Sequence, residues 1–182
     1  MRVIAGTARR TPLSAPQGLV TRPTADRAKE ALFSILGARV AGAHFLDLFC
    51  GSGAVGIEAL SRGASRVVFV DNANAAIQAV KKNITAARFL AGWEMIKSPV
   101  ISALAALDKP FDIIFLDPPY ESTLIEETLQ ALGGASLLSG DGLIVAETQV
   151  KMEPPNVPPF ECRQTRDYGR TRFLFYGMGG LL

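Results

Sequence analysis

The tetrapeptide Asp117-Pro118-Pro119-Tyr120 is where the residue types of this chain come closest to dictating a reaction. Two consecutive prolines remove two N–H donors and fix the backbone, which would point carbonyl oxygens into a cleft as hydrogen-bond acceptors. An Asp carboxylate and such a carbonyl can together hold the two hydrogens of an aromatic amine. Held in that way, the nitrogen lone pair turns from the ring towards an electrophile, and Tyr120 offers a flat face on which a base can stack. Positioning of this kind is a large source of rate in a two-substrate transfer. The competing reading is an ordinary strand-ending turn, for which Asp and Pro are common.

A second constellation lies upstream, in Asp47-Leu48-Phe49-Cys50-Gly51-Ser52-Gly53-Ala54-Val55-Gly56. Residues 51–56 match G-x-G-x-x-G between an expected strand and an expected helix, the setting a nucleotide-binding loop requires. Asp71 follows Gly51 by twenty residues and ends the next apolar run, which places it to hydrogen-bond ribose hydroxyls. Taken alone, the loop suits a dinucleotide or S-adenosylmethionine equally. Asp47 favours the latter, because a carboxylate ahead of the glycines would repel a pyrophosphate but attract the cationic amino group of a methionine moiety. Its alternative role is to cap the loop. Cys50 has no histidine near it in sequence and reads as a small buried filler. His44, the one histidine, reads as structural.

These residues need a scaffold that brings loop ends together, and the hydrophobic pattern supplies one. Short apolar runs at 45–49, 66–70, 95–96, 111–116 and 142–146 alternate with helical stretches at 54–62, 74–87, 100–107 and after residue 120. Repeated βα units with nearly continuous apolar strands predict a parallel sheet covered on both faces. Residues 160–166 and 172–176 are strand-like with Asp167-Tyr168-Gly169 between them, predicting an antiparallel hairpin at the sheet edge. Before the first unit, Thr24 reads as an N-cap, and Ala28, Ala31, Leu32, Ile35 and Leu36 form an amphipathic stripe ending at Gly37. Residues 1–20 read as a small β-hairpin extension to a domain spanning 21–182. The expected fold is a Rossmann-like α/β domain with a mostly parallel seven-stranded sheet.

Composition narrows the partners. The chain has 182 residues, of which 48% are hydrophobic, a net charge of +2 and two cysteines. That is enough apolar material for one core and too few cysteines for a disulfide framework, and it suits a reducing cytoplasm. No apolar stretch is long enough to span a membrane, and the N-terminal apolar run is too short for a signal peptide. Positive charge gathers at both ends: residues 1–30 carry six cations against two carboxylates, and residues 161–172 carry four arginines against two. Such ends suit a polyanion such as RNA, or else form a solvated Arg-rich surface.

The combination resembles the class I methyltransferases, and within them the bacterial 16S rRNA guanine-N2 methyltransferases, the RsmD family. The similar segments are Arg2-Val3-Ile4-Ala5-Gly6, Thr21-Arg22-Pro23-Thr24 followed by Asp26-Arg27 and Glu30-Ala31-Leu32-Phe33, Leu46-Asp47-Leu48-Phe49 with the glycine loop, Gly56-Ile57-Glu58-Ala59-Leu60-Ser61-Arg62-Gly63-Ala64, and Phe115 to Tyr120. The resemblance implies transfer of one methyl from S-adenosylmethionine to N2 of a guanine (966 in reference numbering) in small-subunit rRNA, giving S-adenosylhomocysteine, with no metal. It implies that Asp47, Gly51 and Gly53 hold the methionine end with Phe49 and Ser52 beside them, that Asp71 and Asn72 meet the ribose, and that Arg22 and Thr24 border the cleft. Asp117, Pro118, Pro119 and Tyr120 would take the guanine. Where many methyltransferases carry an acidic residue near adenine, this chain has Lys97-Ser98-Pro99-Val100, leaving Ser98 and Val100 as candidates. Arg9, Arg10, Arg22, Arg170 and Arg172 are the expected phosphate contacts. The expected substrate is 16S rRNA, in a 30S subunit or an assembly intermediate, met by a monomer. A DNA or RNA adenine-N6 methyltransferase would use the same tetrapeptide. An NAD-dependent oxidoreductase and a non-catalytic RNA-binding assembly factor are the rivals from other classes.

Overall fold

The computed structural model describes residues 1–16, 23–119 and 123–179. Arg22 and Tyr120 therefore lie outside the described residues, and the Thr24 side chain is not described.

Seven strands form one sheet: β1 (His44–Leu48), β2 (Arg66–Asp71), β3 (Trp93–Lys97), β4 (Phe111–Leu116), β5 (Leu138–Gln149), β6 (Phe160–Tyr168) and β7 (Thr171–Met178). Their order is β3-β2-β1-β4-β5-β7-β6. The first five run parallel, and β7 joins β5 antiparallel with β6 outside it. Among the described residues five α-helices accompany them: α1 (Pro23–Leu36), α2 (Ala54–Ser61), α3 (Asn74–Ala86), α4 (Val100–Ala106) and α5 (Leu124–Ala135).

Strand alternation divides the core in two. Phe45, Val67, Phe69, Ile113, Phe115, Val145, Phe173 and Phe175 face α1, α2 and α3. Leu46, Leu48, Val68, Val70, Ile114, Leu116, Ile144, Ala146 and Leu174 face α4 and α5. Because both faces are covered, polar residues inside the strands are rare, and each one that occurs calls for a reason. The two edge strands are exceptions, β6 with exposed Glu161, Arg163, Arg166 and Asp167 and β3 with exposed Glu94 and Lys97; charges on an edge strand discourage pairing with another chain.

Two expectations are corrected here. α1 begins at Pro23, so Thr24 sits inside the helix and is not its cap; proline suits that first position because its missing N–H would have no helical partner. β5 begins four residues earlier than expected. Gly140-Asp141-Gly142 looks like a turn but forms an irregular start to the strand, where pairing jumps from Phe111↔Leu138 to Ile113↔Leu143.

The N-terminal segment folds back on itself, with a bridge between Arg2 and Pro12 and the Val3 N–H donating to Thr11 O. It docks on α2 through Ser61, whose hydroxyl accepts the Ala8 N–H and donates to Ala5 O, and through one buried carboxylate. Glu58, fully shielded from solvent, accepts from the N–H groups of Ile4 (2.8 Å) and Ala5 (3.0 Å), and pairs with Lys29 of α1 (3.1 Å) and Arg62 (2.8 Å). Burial lowers the Lys29 ammonium, and Glu58 partly offsets that effect. Gly6 (φ +82°) passes so close to Ser61 that a Cβ would lie 1.7 Å from the Ser61 carbonyl oxygen. The Glu58-Ala-Leu-Ser-Arg-Gly63 stretch is thus a docking surface for the first residues of the chain.

Candidate active site

The strand order reverses between β1 and β4, which leaves a crevice above their C-terminal ends where open α/β sheets bind ligands. Parallel pairing aligns Val70, Leu48, Leu116 and Ala146 across β2, β1, β4 and β5. One residue further on, Asp71, Phe49, Asp117 and Glu147 form the next row at the rim. By alternation, Asp71, Asp117 and Glu147 point to the α1–α2–α3 side. Asp47 points the same way from two positions deeper in β1. Four carboxylates thus line one side of the crevice. Among the described residues, no group of three His, Cys, Asp or Glu could hold a metal ion.

Asp47 is 1% exposed, and its Oδ2 accepts the Gly56 N–H at 2.9 Å. Its carboxylate therefore occupies the first turn of α2, the place where a dinucleotide's pyrophosphate would take amides and the helix dipole. The capping alternative is what the geometry contains, and it also disfavours a pyrophosphate. Burial holds the Asp47 carboxyl well above the usual carboxylate range against the pull of the Gly56 N–H, and the charges of Asp117 and Asp71 raise it further.

Asp71 fastens the loop to the next turn: Oδ2 accepts the Gly51 N–H and Oδ1 the Ala73 N–H, both at 2.9 Å. A half-buried carboxylate has roughly four acceptor sites, so two of these bonds leave room for hydroxyl donors. The three glycines have different tasks. A Cβ on Gly53 would meet Val80 at 2.9 Å, and one on Gly56 would meet Phe69 at 2.3 Å, so both let α2 pack against its neighbours. Beside Gly51 (φ +52°) the nearest atom to such a Cβ is 4.0 Å away, which leaves its ligand side open. Phe49 takes φ +56° at the strand end, a conformation that costs a non-glycine residue on the order of 1–3 kcal/mol and clusters at functional sites. Ser52 directs its carbonyl to Asn83 Nδ2 (2.9 Å), and Asn83 also pairs with the Ser14 backbone in both directions. The buried Asn83 therefore ties the N-terminal segment to the glycine loop.

The Asp117 N–H donates to Leu48 O at 3.4 Å, extending the β1–β4 ladder into the tetrapeptide. Pro118 is buried and Pro119 is exposed. The protein packed around it pushes the Asp117 carboxyl up to about 7. Glu147, which the sequence reading passed over, is pushed up to about 8, first by burial and then by the Asp117 charge. The Thr171 hydroxyl, 3.5 Å away, offsets this only weakly. The available signal was an acidic residue directly after the apolar run 143–146, the position that Asp117 holds after 111–116.

The other candidates scatter more. Asn72 is exposed beside Asp71, and the Ser98 N–H donates to Asp71 O at 3.1 Å, so both border the rim of β2. Val100 is 6% exposed and packs into the core beneath α4, which makes it mainly a core residue. Arg9, Arg10 and Arg170 are exposed. Arg172 points to the opposite sheet face from Phe173 and spends its guanidinium on Asp167 (2.7 and 2.9 Å) and on Met152 O (3.2 Å), which makes it a poor phosphate donor. Burial and the neighbouring Asp47 and Asp71 charges drive the Cys50 thiol far upward, so it is no nucleophile. His44 lies at the far end of β1, its N–H donating to Asp112. A cavity of about 300 Å³ lined by Arg39, Asp112, Ser139 and Asp141 also opens at that far end, away from the motifs.

Comparison with known proteins agrees with this geometry. The Bacillus subtilis candidate rRNA methyltransferase YlbH is 38% identical over 99% of this chain and all of its own length. The Escherichia coli ribosomal RNA small subunit methyltransferase D is 36% identical, over 87% of this chain and 79% of that protein. A solved Escherichia coli structure, YhhF, described as a candidate methyltransferase, superposes with a TM-score of 0.86 at 32% identity, covering 100% of this chain and 99% of that one. The family model described as conserved hypothetical protein 95 matches residues 1–177, and with a class I methyltransferase fold and these relatives the chain belongs to that family, the family of small-subunit rRNA methyltransferase D.

Proposed function

We propose that this protein transfers a methyl group from S-adenosylmethionine to the exocyclic N2 of a guanine in small-subunit rRNA. The observation that carries the reading is the carboxylate row at the switch point, with Asp47 already seated on the α2 amide. The Asp47 carboxyl, raised by burial and then by the charges of Asp117 and Asp71, is relieved by a cation. S-adenosylmethionine supplies the methyl on a positively charged sulfur, and it carries an ammonium besides.

In this reading Asp47 meets the ammonium through its field, Gly51 lets the methionine portion approach the backbone, and Asp71 with Asn72 faces the ribose. Ser98 borders the adenine, while Arg22 and Thr24 line the cleft from the N-terminal side. Asp117 and the carbonyls of its two prolines hold the amine hydrogens, and Tyr120 stacks on the base. The amine nitrogen forms its new bond to the methyl carbon as the sulfur–methyl bond breaks. The electron pair stays on sulfur, and the nitrogen's surplus proton passes to Asp117 or to water. Arg9, Arg10 and Arg170 contact phosphates and orient the RNA without reading its sequence. Residues 1–20 act as an extension to the domain formed by 21–182, and the protein works as a cytoplasmic monomer on 30S subunits or their precursors.

The test is direct. Calorimetric titration should give saturable binding of S-adenosylmethionine and none of NADH. Radiolabelled methyl transfer to free rRNA and to 30S particles, followed by mass-spectrometric mapping, should place one label on a guanine N2. A label on adenine N6 would install the adenine methyltransferase instead. Cofactor binding with no transfer to any RNA would indicate an assembly factor with a residual pocket.

A further inference from the structure

We propose that Glu147 is the specificity-determining residue for the target base: it accepts the N1–H of guanine while Asp117 accepts the N2 amine beside it. This rests on the guanine-N2 reading above and adds a residue and a task to it.

The argument starts from placement. Glu147 follows Ala146, which pairs with Leu116, so Glu147 and Asp117 occupy neighbouring positions on adjacent parallel strands, about 4.8 Å apart. Alternation points both side chains to the same side of the sheet as Val145 and Phe115. The backbone beneath Glu147 is firmly held: its partner across β7 is Phe173, 1% exposed and ringed by Tyr168 and Phe175 at centroid distances of 6.0 and 6.5 Å. Among the described residues the Glu147 side chain accepts one hydrogen bond, a 3.5 Å contact from Thr171, at the limit of hydrogen-bond length and a weak partner for an acidic group that directly follows the apolar run 143–146. Glu147 is thus a half-buried acceptor, weakly satisfied by Thr171 and on the same side of the sheet rim as Asp117.

The base that fits two adjacent acceptors is defined by its edge. Guanine presents two parallel donors side by side, N1–H and the N2 amine. Adenine presents an acceptor at N1 beside its N6 amine, which would set a lone pair against the Glu147 oxygens. A site built to accept a substrate N–H rejects analogues without it, because its own polar group is then left buried and unpaired.

The experiment uses 2-aminopurine, which keeps the N2 amine but carries an acceptor at N1. RNA with guanine at the mapped target, and the same RNA with 2-aminopurine there, is offered as free transcript and as assembled 30S particles. Wild-type protein should prefer guanine in kcat/KM by about 10- to 100-fold, the range of one hydrogen bond to a charged group. Glu147→Gln, whose amide can donate to N1, should lose most of that preference through kcat/KM on guanine, with S-adenosylmethionine affinity unchanged. Should the Gln variant unfold, Glu147→Asp keeps the carboxylate one methylene shorter and should retain the guanine preference at a lower rate. An undiminished guanine preference in Glu147→Gln would overturn the role of Glu147 while leaving the methyltransferase reading intact. A wild-type protein that methylates no guanine would instead overturn that underlying reading.

Discussion

Replacing Asp47 with asparagine separates the two tasks of this carboxylate. Asparagine has the same shape, and its side-chain oxygen can accept the Gly56 N–H now held at 2.9 Å, so the cap on α2 persists. What disappears is a negative charge beneath the cleft. Asp47 lies two residues below the rim of β1, which at about 3.3 Å per residue puts a cation at the rim roughly 7 Å away. At an effective dielectric of about 20, that separation is worth about 2.4 kcal/mol, or roughly 50-fold in affinity. S-adenosylmethionine and S-adenosylhomocysteine, which share the ammonium, should both weaken by that order in calorimetric titration. Methylthioadenosine, which has no amino-acid portion, should bind as it does to wild type. The unliganded variant should also resist urea better at neutral pH, because the native carboxyl is held well above the usual range by burial and its charge costs stability there. Equal weakening of all three ligands would refute the reasoning, since the charge would then act only by shaping the loop. Unchanged affinity for all three would refute it equally.

Three further outcomes follow from the same geometry. Asp117→Ala should lower kcat by about 100-fold or more, the loss expected when a reacting group is misplaced, while calorimetry finds cofactor affinity little changed; wild-type turnover would remove Asp117 from the reaction. Glu58→Gln strands a buried Lys29 and sets an amide donor among the donors that Glu58 now accepts from, so urea denaturation should find it about 3–5 kcal/mol less stable. Burial, with the Asp117 charge beside it, raises the Glu147 carboxyl to about 8, from about 4.5 when free in solution. The folded chain therefore binds this proton more tightly than the unfolded chain, and the associated stability is present below pH 4.5 and lost as pH rises towards 8. Urea midpoints of the unliganded protein should fall across that window, and Glu147→Gln should flatten the decline.

Much of this organisation is legible along the chain. Near-continuous apolar runs such as Phe111–Leu116 are buried on both faces, and that burial is what their composition encodes. Gly51, Gly53 and Gly56 mark the loop because backbone conformation and close packing leave no place for a side chain there. Element ends were legible to within a residue or two except at β5, expected over 142–146, where pairing with β4 holds an irregular start from Leu138 and the strand runs on to Gln149. The tasks of Gly53 and Gly56 were less legible, since only the packing shows that Val80 and Phe69, rather than a ligand, fill the space beside them.

The sequence by itself determined the chemistry at hand: a rigid Asp-Pro-Pro tetrapeptide, a glycine loop, and acids at the ends of apolar strands, because backbone freedom, hydrogen-bonding capacity and apolar periodicity are properties of short stretches of chain. Only the tertiary structure decided which distant groups meet. Strand register put Glu147 beside Asp117, thirty residues away, and sheet pairing turned Arg172 away from the cleft to Asp167. The fold-back of residues 1–14 onto Glu58 and Asn83 was settled there as well. Encounters of that kind depend on how strands align across the sheet and how helices cover it, and no local pattern records either.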